Sequence, residues 1–142
     1  MVDRETFDRR LGKLEQLLRD LRRFQGIDRE TFLRDRDTQA KAERWLQLAG
    51  EVAIHLATQL IAERGWRPPV SYREAFQVLS EEGVLSPGLA QQMEGWAALR
   101  NVLVHLYLEV DHRRLHEILT EELDQLEDFA RAITKSLSLG KE

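Results

Sequence analysis

The sequence predicts an all-α fold, a helical bundle of four main helices plus one short helix, and three observations predict it. Apolar residues recur at spacings of three and four along most of the 142-residue chain, the pattern of helices that bury one face. All three prolines lie between the periodic segments and none inside them, as the missing N–H of proline requires. No alternating polar–apolar run competes as a strand, and no segment repeats. Residues 1–142 read as a single domain, long enough to bury a substantial core.

Taken in order, Phe7, Leu11, Leu14, Leu18 and Leu21 mark a first amphipathic helix that stops near Gly26. The polar stretch "IDRETFLRDRD" has room for one short turn of helix. A long second helix runs from about Thr38 to Arg64. Its stripe of Ala42, Trp45, Ala49, Val52, Leu56 and Leu60 is widened by Leu46, Ala53, Ala57 and Ile61. A face that broad predicts the central helix of a bundle. "GWRPPV" breaks it. "SYRE", Ser71 to Glu74, is a capping box that opens a short helix ending at Gly83. Ser86 and Pro87 supply an N-cap and a first-turn proline for the next helix. That helix carries Leu89, Met93, Trp96, Leu99 and Leu103 and continues into "RNVLVHLY", residues 100–107. Asp111 caps one last helix, with a stripe of Leu115, Leu119, Leu123, Leu126, Ala130, Ile133 and Leu137, and the tail beyond Leu137 frays.

The bulk properties narrow the function classes. With 42% hydrophobic and 32% charged residues the balance is that of a globular protein. There is no cysteine, which excludes disulfides and thiolate metal sites. The first residues are charged and lack the apolar core of a signal peptide, and no apolar run approaches the roughly 18 residues of a membrane span. A cytoplasmic location, without membrane association, is expected. The net charge of −4, from 21 basic and 25 acidic residues, argues mildly against a broad positive field for nucleic acid. Local patches remain, such as Arg19, Arg22 and Arg23, or Arg113 and Arg114, and each also reads as a solvated helix face.

The polar residues of "RNVLVHLY" stand out. In a continuous helix Met93, Arg100 and Tyr107 stack in one column, beside Trp96 and Leu103, which places a guanidinium where core is expected. Burying an unpaired charge is expensive, so Arg100 needs a partner, a ligand or an opening to water. Asn101 and His105 share a second face, and Arg100 and His105 diverge by roughly 140°. Either the helix distorts, or two copies bring the groups together across a symmetric interface. Arginine offers a planar fork matched to phosphate, and histidine exchanges protons near neutral pH. The pair suits cleavage of an RNA phosphodiester without a metal. The same residues also fit a structural ion pair beside an ordinary histidine.

"RNVLVHLY" resembles the motif R-x-x-x-x-H-x-Y of the HepT-like family of HEPN domains, including the polar residue after the arginine. "ERWLQLAGEVAIHLATQLI" (43–61) is similar to that family's second helix, and "SYREAFQVLSEEGVLSP" (71–87) to its middle segment. The resemblance covers most of the chain from about Asp35 to Leu119. It implies a HEPN-type bundle that forms a homodimer, with the motif residues of both subunits lining a cleft. It further implies a metal-independent endoribonuclease toxin that acts on RNA. Its partner would be a nucleotidyltransferase antitoxin that neutralises it by AMPylation of the motif tyrosine. Carried over residue by residue, Arg100 and His105 are catalytic, Asn101 is supporting and Tyr107 is the modified residue. No cofactor and no metal are implied. His55 stands where the family often has an acidic residue.

Other constellations are weaker. His112 and His116 have metal-compatible spacing, but only Glu109 and Asp111 offer themselves as further ligands, and surface histidines are common. Glu51 and His55, four apart, suggest a hydrogen-bonded pair rather than a metal site. Trp45 and Trp96 read as core, whereas Trp66 is freer to stack on a base. Two readings remain from different classes: the toxin ribonuclease, and a non-catalytic HEPN module that binds a nucleotide or its nucleotidyltransferase partner.

Overall fold

The computed structural model describes residues 3–105 and 110–139, and among these the chain forms seven helices and no strand. They are α1 (Arg4–Arg22), α2 (Arg29–Arg34), α3 (Arg36–Arg64), α4 (Tyr72–Glu81), α5 (Pro87–Val104), α6 (His112–Glu121) and α7 (Leu123–Leu139). The class is the predicted one, and the helix count is higher than predicted. The turn expected in "IDRETFLRDRD" is α2. The expected last helix is two, interrupted at Glu122 (φ −118°, ψ 0°), whose carboxylate pairs with Arg114 one helix earlier. The step from Leu119 to Leu123 to Leu126 keeps its spacing of four and three across the break, so periodicity could not show it. The helix after the break continues to Leu139, past the point where fraying is expected.

Side-chain caps set the starts. Asp3, Asp28 and Asp35 accept from the amides of Thr6, Thr31 and Thr38, satisfying donors that a helix N-terminus leaves open. Ser71 and Ser86 do the same for Glu74 and Leu89, both at 3.1 Å, and Asp111 caps α6. The capping box is only half formed, because the Glu74 carboxylate turns away to Arg67. Glycines in the left-handed region follow two helices, Gly65 (φ 70°) after α3 and Gly83 (φ 78°) after α4.

Helix α3 is the axis of the bundle, with α1 on one side and α4 and α5 on another, while α7 closes against α1 and α5. Phe7, Leu14, Leu46, Leu60, Phe76, Met93, Phe129 and Ile133 are fully buried in one continuous core, each contributing on the order of 1.5–3 kcal/mol by leaving water. Trp96 is core, as expected, and its indole N–H donates to Gln125 at 3.0 Å. Trp45 is half-buried, stacked on Phe24 at 5.4 Å. Helices α3 and α5 approach closely where α3 has no side chain. A Cβ at Gly50 would lie 3.1 Å from the Arg100 Cβ and 3.3 Å from the Trp96 carbonyl oxygen. No helix among the described residues is long and apolar enough to cross a membrane.

Candidate active site

Arg100 lies just before the last turn of α5, with its side chain 23% exposed. Burial of its inner carbons against Gly50 explains why it occupies the edge of an apolar stripe, and its charge is met at the outer end. Nε donates to Glu51 Oε1 on α3 at 3.3 Å, and Nη1 donates to Asn101 Oδ1 at 3.1 Å. The guanidinium carbon stands 5.4 Å from the centre of the Tyr72 ring, at the start of α4, a cation–π distance. Three elements therefore fix one cation: α3 through a carboxylate, α5 through an amide and α4 through an aromatic face. Among the described residues no acceptor engages Nη2. A guanidinium fixed through Nε and Nη1, with Nη2 left without an acceptor among the described residues, keeps donors suited to an incoming phosphate.

His105 sits where α5 ends. Its amide still donates to the Asn101 carbonyl at 3.2 Å, but its own φ and ψ (−98°, 60°) have left helical values, and the residue is exposed. The 140° divergence assumed an unbroken helix through Tyr107. The helix stops at Val104, so that angle does not govern the His105 side chain, and the column joining Arg100 to Tyr107 is not one continuous α5. Tyr107 itself lies outside the described residues. The structure thus brings Arg100 and Asn101 into contact and sets His105 at the adjoining helix end.

The expected Glu51–His55 pair does not form. Glu51 instead accepts from Gln47 at 3.2 Å and from Arg100, while His55 is exposed. His112 and His116 have protein partners. His112 Nε2 is 2.9 Å from a Glu43 carboxylate oxygen, and His116 Nε2 donates to the Ile27 carbonyl at 2.7 Å, with the buried Phe32 ring against both imidazoles. They dock α6 onto α3 and the α2 region. Glu109, a conceivable further ligand, is outside the described residues. Trp66 is half-buried under the Arg64 guanidinium at 5.9 Å, and so is less open than its place beside the prolines suggests.

Two contributors were not assigned to Arg100 from the sequence, where Glu51 was paired with His55. Glu51 was detectable in principle as a carboxylate on the broad apolar face of α3, the natural counter-charge for Arg100. Tyr72 was read only as part of a capping box, and nothing in its spacing points to an arginine 28 residues away. Outward from Arg100, α5 presents Gly95, Ala98, Leu99, Asn101 and Val102, with Val102 50% exposed. This small, largely apolar face is continuous with the motif.

Comparison with known proteins adds a family. A family model described as Ribonuclease HepT-like matches residues 14–133. A tRNA nuclease HepT from Aphanizomenon flos-aquae is 28% identical over 136 residues, spanning 96% of this chain and 92% of the relative. An mRNA nuclease HepT from Shewanella oneidensis is 24% identical over 125 residues, 87% of this chain and 94% of the relative. Among solved structures, the tri-AMPylated Shewanella oneidensis HEPN toxin in complex with its MNT antitoxin superposes with a TM-score of 0.85. The sequence identity there is 21%, covering 95% of this chain and 99% of that one.

Proposed function

The chain belongs to the HepT-like ribonuclease family, and from that premise we propose that it is a metal-independent endoribonuclease toxin of a toxin–antitoxin system, cutting RNA with Arg100 and His105 at the seam of a homodimer. The observation that carries the reading is the Arg100 guanidinium, fixed by Glu51, Asn101 and Tyr72 with its Nη2 group bonded to none of the described residues, beside an exposed histidine.

The chemistry follows from those two groups. The ribose 2′-oxygen attacks the adjacent phosphorus, the O2′–P bond forms and the P–O5′ bond breaks. One proton leaves the 2′-hydroxyl and one arrives on the departing 5′-oxygen. His105 carries one of these transfers, and the same residue of a second copy would carry the other. Arg100 neutralises the charge that builds on the non-bridging oxygens of the phosphorane, and Asn101 keeps the guanidinium in plane. A proton carrier and a phosphate binder supplied by side chains are sufficient for this route, which supports the metal-free assignment. The exposed face of Gly95, Ala98, Leu99 and Val102 supports the homodimer, because pairing through it sets two motifs side by side.

The regulatory half rests on the motif spacing and on the AMPylated state of the Shewanella toxin bound to its MNT antitoxin. A nucleotidyltransferase partner would direct the Tyr107 hydroxyl onto the α-phosphorus of ATP, releasing pyrophosphate. The attached AMP would add negative phosphate and bulk to the motif, a competitor for the anion that Arg100 would otherwise receive. The protein is expected to cleave RNA in EDTA and to leave a 2′,3′-cyclic phosphate, and a 2′-deoxyribose at the cut site should stop the reaction. Continued cleavage of the deoxy substrate removes 2′-hydroxyl attack from consideration. After co-expression with the partner, mass spectrometry should find whole AMP units on the peptide containing Tyr107, and Tyr107→Phe should escape neutralisation. An adduct at another residue would overturn the assignment of Tyr107.

A further inference from the structure

Beside the motif, on the α4 side, is a concavity of about 440 Å³ lined by Thr58, Pro69, Val70, Ser71, Tyr72 and Asn101. Its size is within the range of small-ligand sites. Its walls are unusual for an exposed loop, since Val70 is 88% exposed and Tyr72 46% exposed. Neither is needed by the core, and Val70 gains nothing from packing where it stands. Two of the hydroxyls are already committed: Thr58 Oγ1 donates to the Ile54 carbonyl at 3.0 Å, and Ser71 Oγ accepts from the Glu74 amide at 3.1 Å. Asn101 is not fully committed. Its Oδ1 must face the Arg100 guanidinium, which only donates, so its Nδ2 group keeps two hydrogens for another acceptor. Among the described residues none takes them.

We propose that this concavity is the subsite for the nucleobase flanking the scissile phosphate, with Tyr72 as its stacking platform and the Asn101 amide as its polar contact. The inference rests on the ribonuclease reading and extends it to where the substrate lies. Its basis is a juxtaposition: an aromatic face and a spare amide donor line one opening, and both touch the phosphate-binding cation beside it. A base is the chemical group that uses all three, because it arrives attached to a phosphate, offers a π-face to stack and carries ring acceptors on its edge. Tyr72 serves twice. It is a positioning residue for Arg100 through the ring–guanidinium contact, and a direct contact for the base. Val70 borders the base without touching Arg100.

The test uses the full-length protein and short RNA oligonucleotides with a single ribose at the cut site and deoxyribose elsewhere. Each is made with normal bases and with one abasic residue on either side of the cut. In the parent, one of the two abasic positions should lower kcat/KM by roughly ten-fold, the scale of a lost stacking contact. Val70→Asp should raise KM for the normal substrate several-fold with kcat retained. Tyr72→Leu should be slower on the normal substrate and almost indifferent to the abasic change, because the contact that the abasic residue removes is already gone. The proposal is overturned if neither abasic position matters in the parent, or if the abasic and Tyr72→Leu losses multiply. It is also overturned if sedimentation shows that Val70→Asp dissociates the oligomer, which would make the concavity a protein contact. These failures are distinct from failure of the ribonuclease reading, in which the parent does not cleave or Arg100→Ala cleaves as well as the parent.

Discussion

Arg67 and Arg100 both reach the first turn of α4, and their surroundings differ in kind. Arg67, on the proline-rich loop, donates from Nε and Nη2 to Glu81, at 3.0 and 2.6 Å from Oε2, and from Nη1 to Glu74. Two carboxylates more than offset its charge, and their hydrogen bonds hold it charged even beyond the ordinary range of an arginine. Arg100 has one carboxylate at 3.3 Å, one neutral amide and one aromatic face. The first arrangement ties a loop to a helix and leaves no uncompensated positive charge for an anion. The second orients a guanidinium while leaving charge and donors unspent. An arginine meant to receive an anion is thus recognised by how incompletely the protein neutralises it.

Substitutions should separate the two. The largest effects are expected at the motif. Arg100→Ala and His105→Ala should each lower kcat/KM for RNA on the order of a thousand-fold, with unchanged helical circular dichroism, and if either variant stays fully active its catalytic assignment is wrong. Arg100→Lys should recover little of the loss, since an ammonium cannot grip Glu51 and a phosphate with one planar fork. Glu51→Gln comes next, with a loss of about ten-fold, because the guanidinium loses its anchoring charge while Asn101 and Tyr72 still hold it; a parental rate would mean that Glu51 is incidental. Arg67→Ala should leave RNA cleavage at the parental rate and lower the melting temperature only slightly, as exposed ion pairs do. A collapse of activity there would erase the distinction drawn between the two arginines.

The smallest effect concerns the caps. Asp35 and Asp3 each accept a threonine hydroxyl and the amide of the same threonine, which holds both carboxyls below the usual carboxylate range. A carboxyl whose pKa is lower in the folded than in the unfolded chain stabilises the fold above the unfolded value and loses that contribution as pH falls through the folded one. The melting temperature should therefore decline below about pH 4. Asp35→Asn, which keeps an acceptor without the titration, should flatten that decline slightly. An unaltered acid limb would show that the cap is not coupled to the fold.

Much of this molecule could be read in advance where one residue's chemistry has one local meaning. Ser86 before Pro87, Asp111 before α6 and the stripe of α1 all act as their neighbours in sequence dictate. The break at Glu122 was hidden because Leu119, Leu123 and Leu126 keep step across it. The end of α5 at Val104 was hidden because Arg100 to Tyr107 carries neither glycine nor proline. At the site, Arg100, Asn101 and His105 were visible as polar residues at helical spacing in an apolar run. The link of Glu51 and Tyr72 to Arg100 was not, since each meets it only through helix packing across 49 and 28 residues of chain. Their meaning is tertiary, and periodicity carries no tertiary address.

Gly50 gives that packing a quantitative edge. With 3.1 Å between its missing Cβ and the Arg100 Cβ, a single methyl group at position 50 would act as a shim, easing α5 away from α3 by a few tenths of an ångström. The shim would lengthen the 3.3 Å contact that aims the guanidinium while leaving every motif residue in place. Potency can therefore be trimmed from a buried position on the far side of the helix contact, and recovered by restoring the glycine.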